Sequence, residues 1–419
     1  MQKVFKYKNG LRLIVDTVPG LKSVSGGIWV DVGSAKETPK INGLSHFTEH
    51  MIFKGTDKLS PFAIADKFER LGAHINAFTG KGATCYFVKS IDEHFEECFE
   101  TLAHIFFDSV FDAEELNKER NVILEEIHMV EDSPEDICFD LSAKATYGET
   151  ALGQTILGGE ENIKRFQNTD VRTFIDSFYC ASNVVVSLSG SITPEEGDAY
   201  VKKYVLDKLC ANKSTASEPK KRAIKRNHLQ RIKDFEQSNI VLSYDSLSFN
   251  HPELAVQSVL NVIAGGGMSS RLFQTIREKM GLAYSVYTSP ASHLYNGSFN
   301  IVLNISPENT QKALDATAGE LSKLKGGDVT KTEIDRAKAQ LKSALIFARE
   351  NVQSIMITNG KILLLADEIY NIDKRIAQID AVTADTVNRF AAATFMDNNF
   401  TSAYVGKAHN ADFENFSVR

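Results

Sequence analysis

Paired cysteines are missing from this sequence: Cys85, Cys98, Cys138, Cys180 and Cys210 are odd in number, widely spaced and without a C-x-x-C pair. That usage excludes a disulfide framework and a cysteine-ligated zinc site, and it fits reduced thiols in a cytoplasmic compartment. No apolar run approaches the roughly 20 residues of a membrane-spanning helix, so no membrane partner is expected. The opening stretch MQKVFKYKNGLRLIVDTVPG lacks the continuous apolar core and small-residue cleavage site of a signal peptide. It alternates instead about Asn9-Gly10, the pattern of a two-stranded hairpin. A strong charge of one sign is absent too: a formal net charge of -7 is mild for 419 residues and argues against nucleic acid as a partner. Gly265, Gly266 and Gly267 are not followed by G-x-x-x-x-G-K-[ST], which excludes a P-loop nucleotide site.

The chain is long enough to bury substantial cores, as two domains or one large duplicated unit. Strand-like segments such as VSGGIWVDVG and VVVSLSGSI alternate with helical ones such as PFAIADKFERLG and PEEGDAYVKKYVLDKL, a mixed α/β pattern throughout. The stretch KSTASEPKKRAIKRN is polar and nearly without apolar periodicity, so residues 213–228 are read as a linker between halves spanning 1–212 and 229–419. Its basic cluster at 220–226 is read as a solvated connector. The halves share an order of elements: FERLGAHINAFTGKGATCYFVKSI and IREKMGLAYSVYTSPASHLYNGSFNIVLNI both run helix, glycine turn, strand, turn, strand. Aligning Gly72 with Gly281 (281 − 72 = 209) sets His46, Glu49 and His50 opposite Ala255, Ser258 and Val259. Any metal therefore belongs to the first half.

The chemistry starts at GLSHFTEHMIFKGT, residues 43–56. On an α-helix, His46 and His50 project from one face as a two-point grip. Composition alone gives about 0.02 chance H-x-x-E-H matches per chain, so the pattern is not accidental. A catalytic zinc takes three protein ligands and keeps a fourth position for water. The acidic helical stretch DAEELNKERNVILEEIHMVEDSPED offers Glu119, Glu125 or Glu126 as the third. Glu119 and Glu126 are two turns apart and share a face, whereas Glu125 is rotated by about 100° from Glu126. Glu49 sits one helical step around from His50, so its carboxylate can act as general base toward an attacking water without ligating the metal. That is amide hydrolysis.

H-x-x-E-H is the inverzincin signature, and the chain resembles the inverzincin metallopeptidases typified by pitrilysin, insulin-degrading enzyme and the mitochondrial processing peptidase β subunit. The likeness spans nearly the whole chain and is closest to the short, bacterial-type members. The resemblance implies a Zn2+ cofactor with His46, His50 and a glutamate 76 residues beyond the second histidine as ligands, which selects Glu126 (126 − 50 = 76). It implies Glu49 as the catalytic base and Glu119, seven residues before the third ligand, as the auxiliary acidic residue. GAHINAFTGKGATCYF is similar to the family's substrate-pairing strand, which makes Asn76, Ala77 and Phe78 expected substrate-binding residues, although many relatives carry a glutamate where this chain has Gly82. GGGMSSRLFQTIREKMGLAYSVY resembles the family's glycine-rich loop with its arginine and tyrosine, here Arg277 and Tyr284, expected to bind substrate carbonyl groups and the developing oxyanion.

The resemblance also implies the fold and the assembly. The expected fold class is α/β (α+β): two homologous α/β rolls, each a mostly antiparallel sheet flanked by helices, in a clamshell dimer. Because both residue sets are present in one chain, a homodimer is expected. Its enclosed chamber would admit unfolded peptides or protein termini as substrates. The alternative is a non-catalytic dimer or scaffold of the same fold, like the core subunits of the respiratory bc1 complex. The complete set His46, Glu49, His50 and Glu126 favours the zinc metalloendopeptidase.

Overall fold

The computed structural model describes residues 1–211, 219–221 and 223–418, so residues 213–218 and 222 of the expected linker lie outside the described residues. The structure divides into two units that are not contiguous in sequence: Met1–Ile127 with Thr155–Glu218 and Ile346–Tyr370, and His128–Gln154 with Pro219–Leu345 and Asn371–Arg419.

The first unit is built on six strands, β1 (Gln2–Lys6), β2 (Arg12–Thr17), β3 (Ser23–Val30), β4 (His74–Thr79), β5 (Thr84–Ile91) and β6 (Val184–Gly190), in the order β1-β2-β6-β3-β5-β4. β1 and β2 form the hairpin about Asn9-Gly10, where Gly10 has φ +101°. The β2–β6 pair is parallel and the other pairings are antiparallel. The second unit carries β7 (Asn227–Ile232), β8 (Ser238–Asp245), β9 (Ala283–Ser292), β10 (Gly297–Ile305) and β11 (Phe400–Gly406), in the order β7-β11-β8-β10-β9, with β7–β11 its one parallel pair among the described residues. The two orders superpose strand for strand once β1 is set aside. This is the duplication legible in the sequence, and each unit is the expected mostly antiparallel roll. β7 starts at Asn227, inside the stretch read as linker, because its residues pair with Thr401 and its neighbours on β11.

The contiguous halves need one correction. β3 and β6 are buried along nearly their whole length, and alternate side chains of a strand face opposite ways. Ile28 and Val30 join Phe95, Phe99 and Leu102 of the helix Phe95–Asp108 on one face. Trp29, with Cys85 and Val185, turns to the other face against Met356, Leu363 and Leu364 of the helix Val352–Ala366. A sheet with two apolar faces needs two covering layers, and this unit draws the second from the far half of the sequence. Contact there is close: a Cβ on Gly360 would lie 2.2 Å from the Trp29 indole nitrogen. Buried Asp16 on β2 pins the same segment, accepting from Arg349 Nη1 at 2.7 Å and Asn359 Nδ2 at 3.1 Å. Burial pushes its pKa up, but those donors outweigh it and hold the carboxyl below its usual range. In the second unit the helix Pro134–Tyr147 plays the reciprocal part, with Ile137 and Cys138 packed on Val241, Val302 and Ala403. Among the described residues no helix is long and apolar enough to cross a membrane.

Candidate active site

The helix Leu44–Ile52 seats Leu44, Phe47 and Met51 in the core at i, i+3 and i+7, which turns His46 and His50 away from it. Its beginning is unusual. Gly43 occupies the N-cap position with φ +96°, a conformation that favours glycine, and a Cβ there would stand 2.6 Å from the Leu157 carbonyl oxygen. Glycine has no side chain to cap the first turn, so Glu37 does it from outside. Its Oε2 accepts from Gly43 N–H at 2.8 Å and Asn42 Nδ2 at 3.1 Å, and its Oε1 accepts from Ser45 N–H at 2.6 Å. A carboxylate suits the positive end of the helix dipole, and this one is almost wholly buried.

His46 Nε2 and His50 Nε2 lie 3.2 Å apart, and Glu126 Oε2 lies 3.7 Å from the first and 3.6 Å from the second. Glu126 comes from the helix Ala113–Asp132, where Leu116 and Ile123 are buried and hold the acidic face against the histidines. Tetrahedral zinc with bonds of ~2.0–2.1 Å spaces its donors by about 3.3–3.4 Å, so two imidazoles and a carboxylate at these separations fit the ion by distance and by donor chemistry. Burial, and then the neighbouring His50, depress the His46 pKa to about 3, which keeps its ring neutral with a lone pair to offer. His50 differs. Burial pushes its pKa down, but the bond to Glu119 and the surrounding carboxylates raise it above the ordinary value. Glu119 Oε1 meets His50 Nδ1 at 2.7 Å, the carboxylate–histidine arrangement that orients a metal-ligating ring.

Glu49 lies between the two histidines in sequence and outside the donor triangle. Thr79 Oγ1 donates to its Oε2 at 2.5 Å, and burial raises its pKa above the usual carboxylate range against the pull of that bond. Thr79 ends β4, one of the two edge strands of the six-stranded sheet among the described residues. Asn76, Ala77 and Phe78 lie on the same edge strand. Phe78 packs edge-on against Trp29 with ring centroids 5.4 Å apart, and the Ala77 N–H is taken by Asn76 Oδ1 at 2.8 Å. Such an edge can accept a further strand by backbone hydrogen bonds.

Arg277 and Tyr284 belong to the second unit. Arg277 lies on a π-helical segment, Phe273–Lys279, with its guanidinium over the Phe273 ring at 4.8 Å, and Tyr284 is exposed on β9. Ala255, Ser258 and Val259 occupy the helix Leu254–Ala264 and provide no donor set. Sequence reasoning passed over Glu37, Lys54 and Thr79 as supports of the site. Lys54 lies within GLSHFTEHMIFKGT, four residues after His50, but nothing local marks it as a partner of Glu119, which is 65 positions away (119 − 54).

The profile described as Insulinase (Peptidase family M16) matches residues 13–160, and that described as Peptidase M16 inactive domain matches residues 165–341. An uncharacterized zinc protease of Bacillus subtilis is 39% identical over 95% of this chain and 97% of its own length. A second, from Streptomyces coelicolor, is 33% identical over 91% of this chain and 84% of its own. Among solved structures, the peptidase M16 inactive domain from Pseudomonas fluorescens superposes with TM-score 0.92 at 20% identity, covering 98% of this chain and 99% of that one. A protease from Helicobacter pylori gives 0.88 at 21% identity over 97% and 99%, and a chain of Complex III2 from Candida albicans gives 0.82 at 16% over 96% and 95%. At those identities the structural likenesses speak to fold alone.

Proposed function

We propose that this chain, which belongs to peptidase family M16, the insulinase family, is a zinc-dependent endopeptidase that cleaves unfolded peptides and protein termini. The observation that carries this reading is the convergence of His46 Nε2, His50 Nε2 and Glu126 Oε2, with Glu49 held beside them. A zinc ion bound there supplies Lewis-acid polarisation of a peptide carbonyl and lowers the pKa of water toward ~7. The chain's own residues do the rest. Glu119 accepts from His50 Nδ1 and so leaves the Nε2 lone pair for the metal. Thr79 anchors one oxygen of Glu49, and the other, Oε1, takes a proton from the attacking water. As the C–N bond breaks, Glu49 returns that proton to the leaving amine.

The edge at Asn76, Ala77 and Phe78 supports recognition of an extended substrate through its backbone, which tolerates varied side chains and requires an unfolded segment. Arg277 and Tyr284 are assigned to the substrate carbonyl and the oxyanion, respectively. Since one chain carries both residue sets, we assign it as a homodimer enclosing the chamber. Light scattering on the purified protein is expected to give twice the 46.4 kDa chain mass, and a fully active monomer would contradict the assignment.

The function itself is tested with a library of unstructured fluorogenic peptides and a map of the products. The zinc-loaded chain should cut internal bonds, a chelator should stop it, and added zinc should restore it. A zinc-loaded chain that cuts nothing in the library would favour a scaffold of the same fold, and cleavage indifferent to chelation would reject the metal.

A further inference from the structure

We propose that Lys54 is a positioning residue of the metal centre: it holds Glu119 so that Glu119 can hold His50. Glu119 uses its two oxygens separately. Oε1 meets His50 Nδ1 at 2.7 Å, and Oε2 meets Lys54 Nζ at 2.5 Å. Its side chain is 6% exposed and that of Lys54 is 28% exposed, so the ion pair sits where water screens it little.

The geometry gives Lys54 a task that a surface lysine lacks. The helix Leu44–Ile52 ends two residues before it, with Phe53 N–H donating to His50 O at 3.3 Å and Lys54 N–H to Met51 O at 3.1 Å. His50 therefore occupies the last turn, where fraying begins. Glu119 comes from a distant helix and grips that turn twice, through the His50 ring and through Lys54, four residues on. A single carboxylate oxygen on Nδ1 leaves the carboxylate free to rotate about its last torsion. The second grip removes that freedom and fixes the ring plane. An ammonium group has three donors and no acceptor, so Glu119 can meet it only as the acceptor. The remaining oxygen then accepts from His50 Nδ1–H, and that tautomer leaves the lone pair on Nε2, 3.2 Å from His46 Nε2. Removing Lys54 also strands a nearly buried carboxylate beside the ligand, a costly arrangement that relaxes by shifting Glu119 away.

This inference rests on the zinc reading above and deepens it, so the test separates the two. Zinc affinity of the purified full-length chain is measured by competition with a chromophoric chelator, and the His50 ring nitrogens are followed by 15N NMR in the metal-free protein at an alkaline pH where the ring is neutral. Lys54→Met is expected to weaken zinc about 10- to 100-fold, as loss of an outer-shell partner does, and to shift the His50 nitrogens away from the Nδ1–H tautomer. Lys54→Arg, which keeps the charge and the donors, should recover most of the affinity. Lys118→Met, which removes an exposed ion pair with Glu115 on the Glu119 helix, should leave zinc binding unchanged. A wild-type chain that binds no zinc overturns the metal reading and this one with it. Wild-type binding matched by Lys54→Met overturns only this one. If Lys54→Met unfolds, the Arg variant decides: wild-type folding combined with zinc affinity as weak as a Glu119→Ala chain rejects the positioning role.

Discussion

Glu49→Gln is expected to lower peptide hydrolysis by about 100- to 10,000-fold, the usual worth of a positioned general base, while zinc content stays at the wild-type level. The two halves of this prediction have separate structural grounds. Glu49 lies outside the triangle of His46 Nε2, His50 Nε2 and Glu126 Oε2, so the amide should leave all three donors in place. Gln is nearly isosteric and can still accept from Thr79, so the side chain stays where the 2.5 Å bond now holds it. What it loses is the ability to take a proton. The fall should therefore sit in kcat with little change in KM, because extended substrate is assigned to the edge of β4, not to this carboxylate. Initial rates on a fluorogenic peptide, with metal measured on the same sample, check both halves. Equal activity in the two proteins would remove Glu49 from the base role. Loss of activity together with loss of metal would make it a structural support instead.

The second large effect concerns Glu37, far from the chemistry by function but close to it by construction. Glu37→Ala removes the acceptor for Gly43 N–H, Ser45 N–H and Asn42 Nδ2 at the buried start of the histidine helix. An orphaned buried donor costs roughly 1–3 kcal/mol, so the two backbone N–H groups should together cost about 2 kcal/mol or more even at the lower end, while Asn42 Nδ2 keeps the Thr155 carbonyl oxygen at 2.9 Å. Glu37→Gln offers one acceptor and turns an NH2 toward the other donors, so it should rescue little. Glu37→Asp keeps the charge but shortens the reach. Thermal and denaturant unfolding of the metal-free chains should show the loss, and zinc binding should weaken with it because His46 lies in the first turn of that helix. Ala unfolding at the wild-type midpoint would show that water or a backbone shift replaces the carboxylate.

The local chemistry was open to reading because it is encoded at short range. His46 and His50 are one helical turn apart, and any helix brings them together; Glu49 follows from the same spacing. The hairpin about Asn9-Gly10 and the repeated helix, glycine, strand order around Gly72 and Gly281 are of the same kind, since turn chemistry and alternation act over a few residues. Glu126 was different. Periodicity leaves it level with Glu119 and Glu125, and only the spacing of a family resemblance selects it. In the structure it is Glu126 that stands 3.6–3.7 Å from both Nε2 atoms, while Glu119 lies behind His50. The domain boundaries were blurred for a physical reason as well: nothing local in the helices Pro134–Tyr147 and Val352–Ala366 tells which sheet they will cover, because an apolar helical face fits any apolar sheet of the right size.

By itself, the sequence determined the two-histidine grip, the glutamate beside it, the internal duplication and the alternation that makes each half a roll, since all of these depend on residues close along the chain. Tertiary structure alone decided that Glu37 caps the histidine helix, that Thr79 anchors Glu49, that Lys54 and His50 share the two oxygens of Glu119, and which helix covers which sheet. Those pairings join residues 30 to hundreds of positions apart or depend on a backbone turn such as that at Gly43, and only the closed fold brings their atoms within reach.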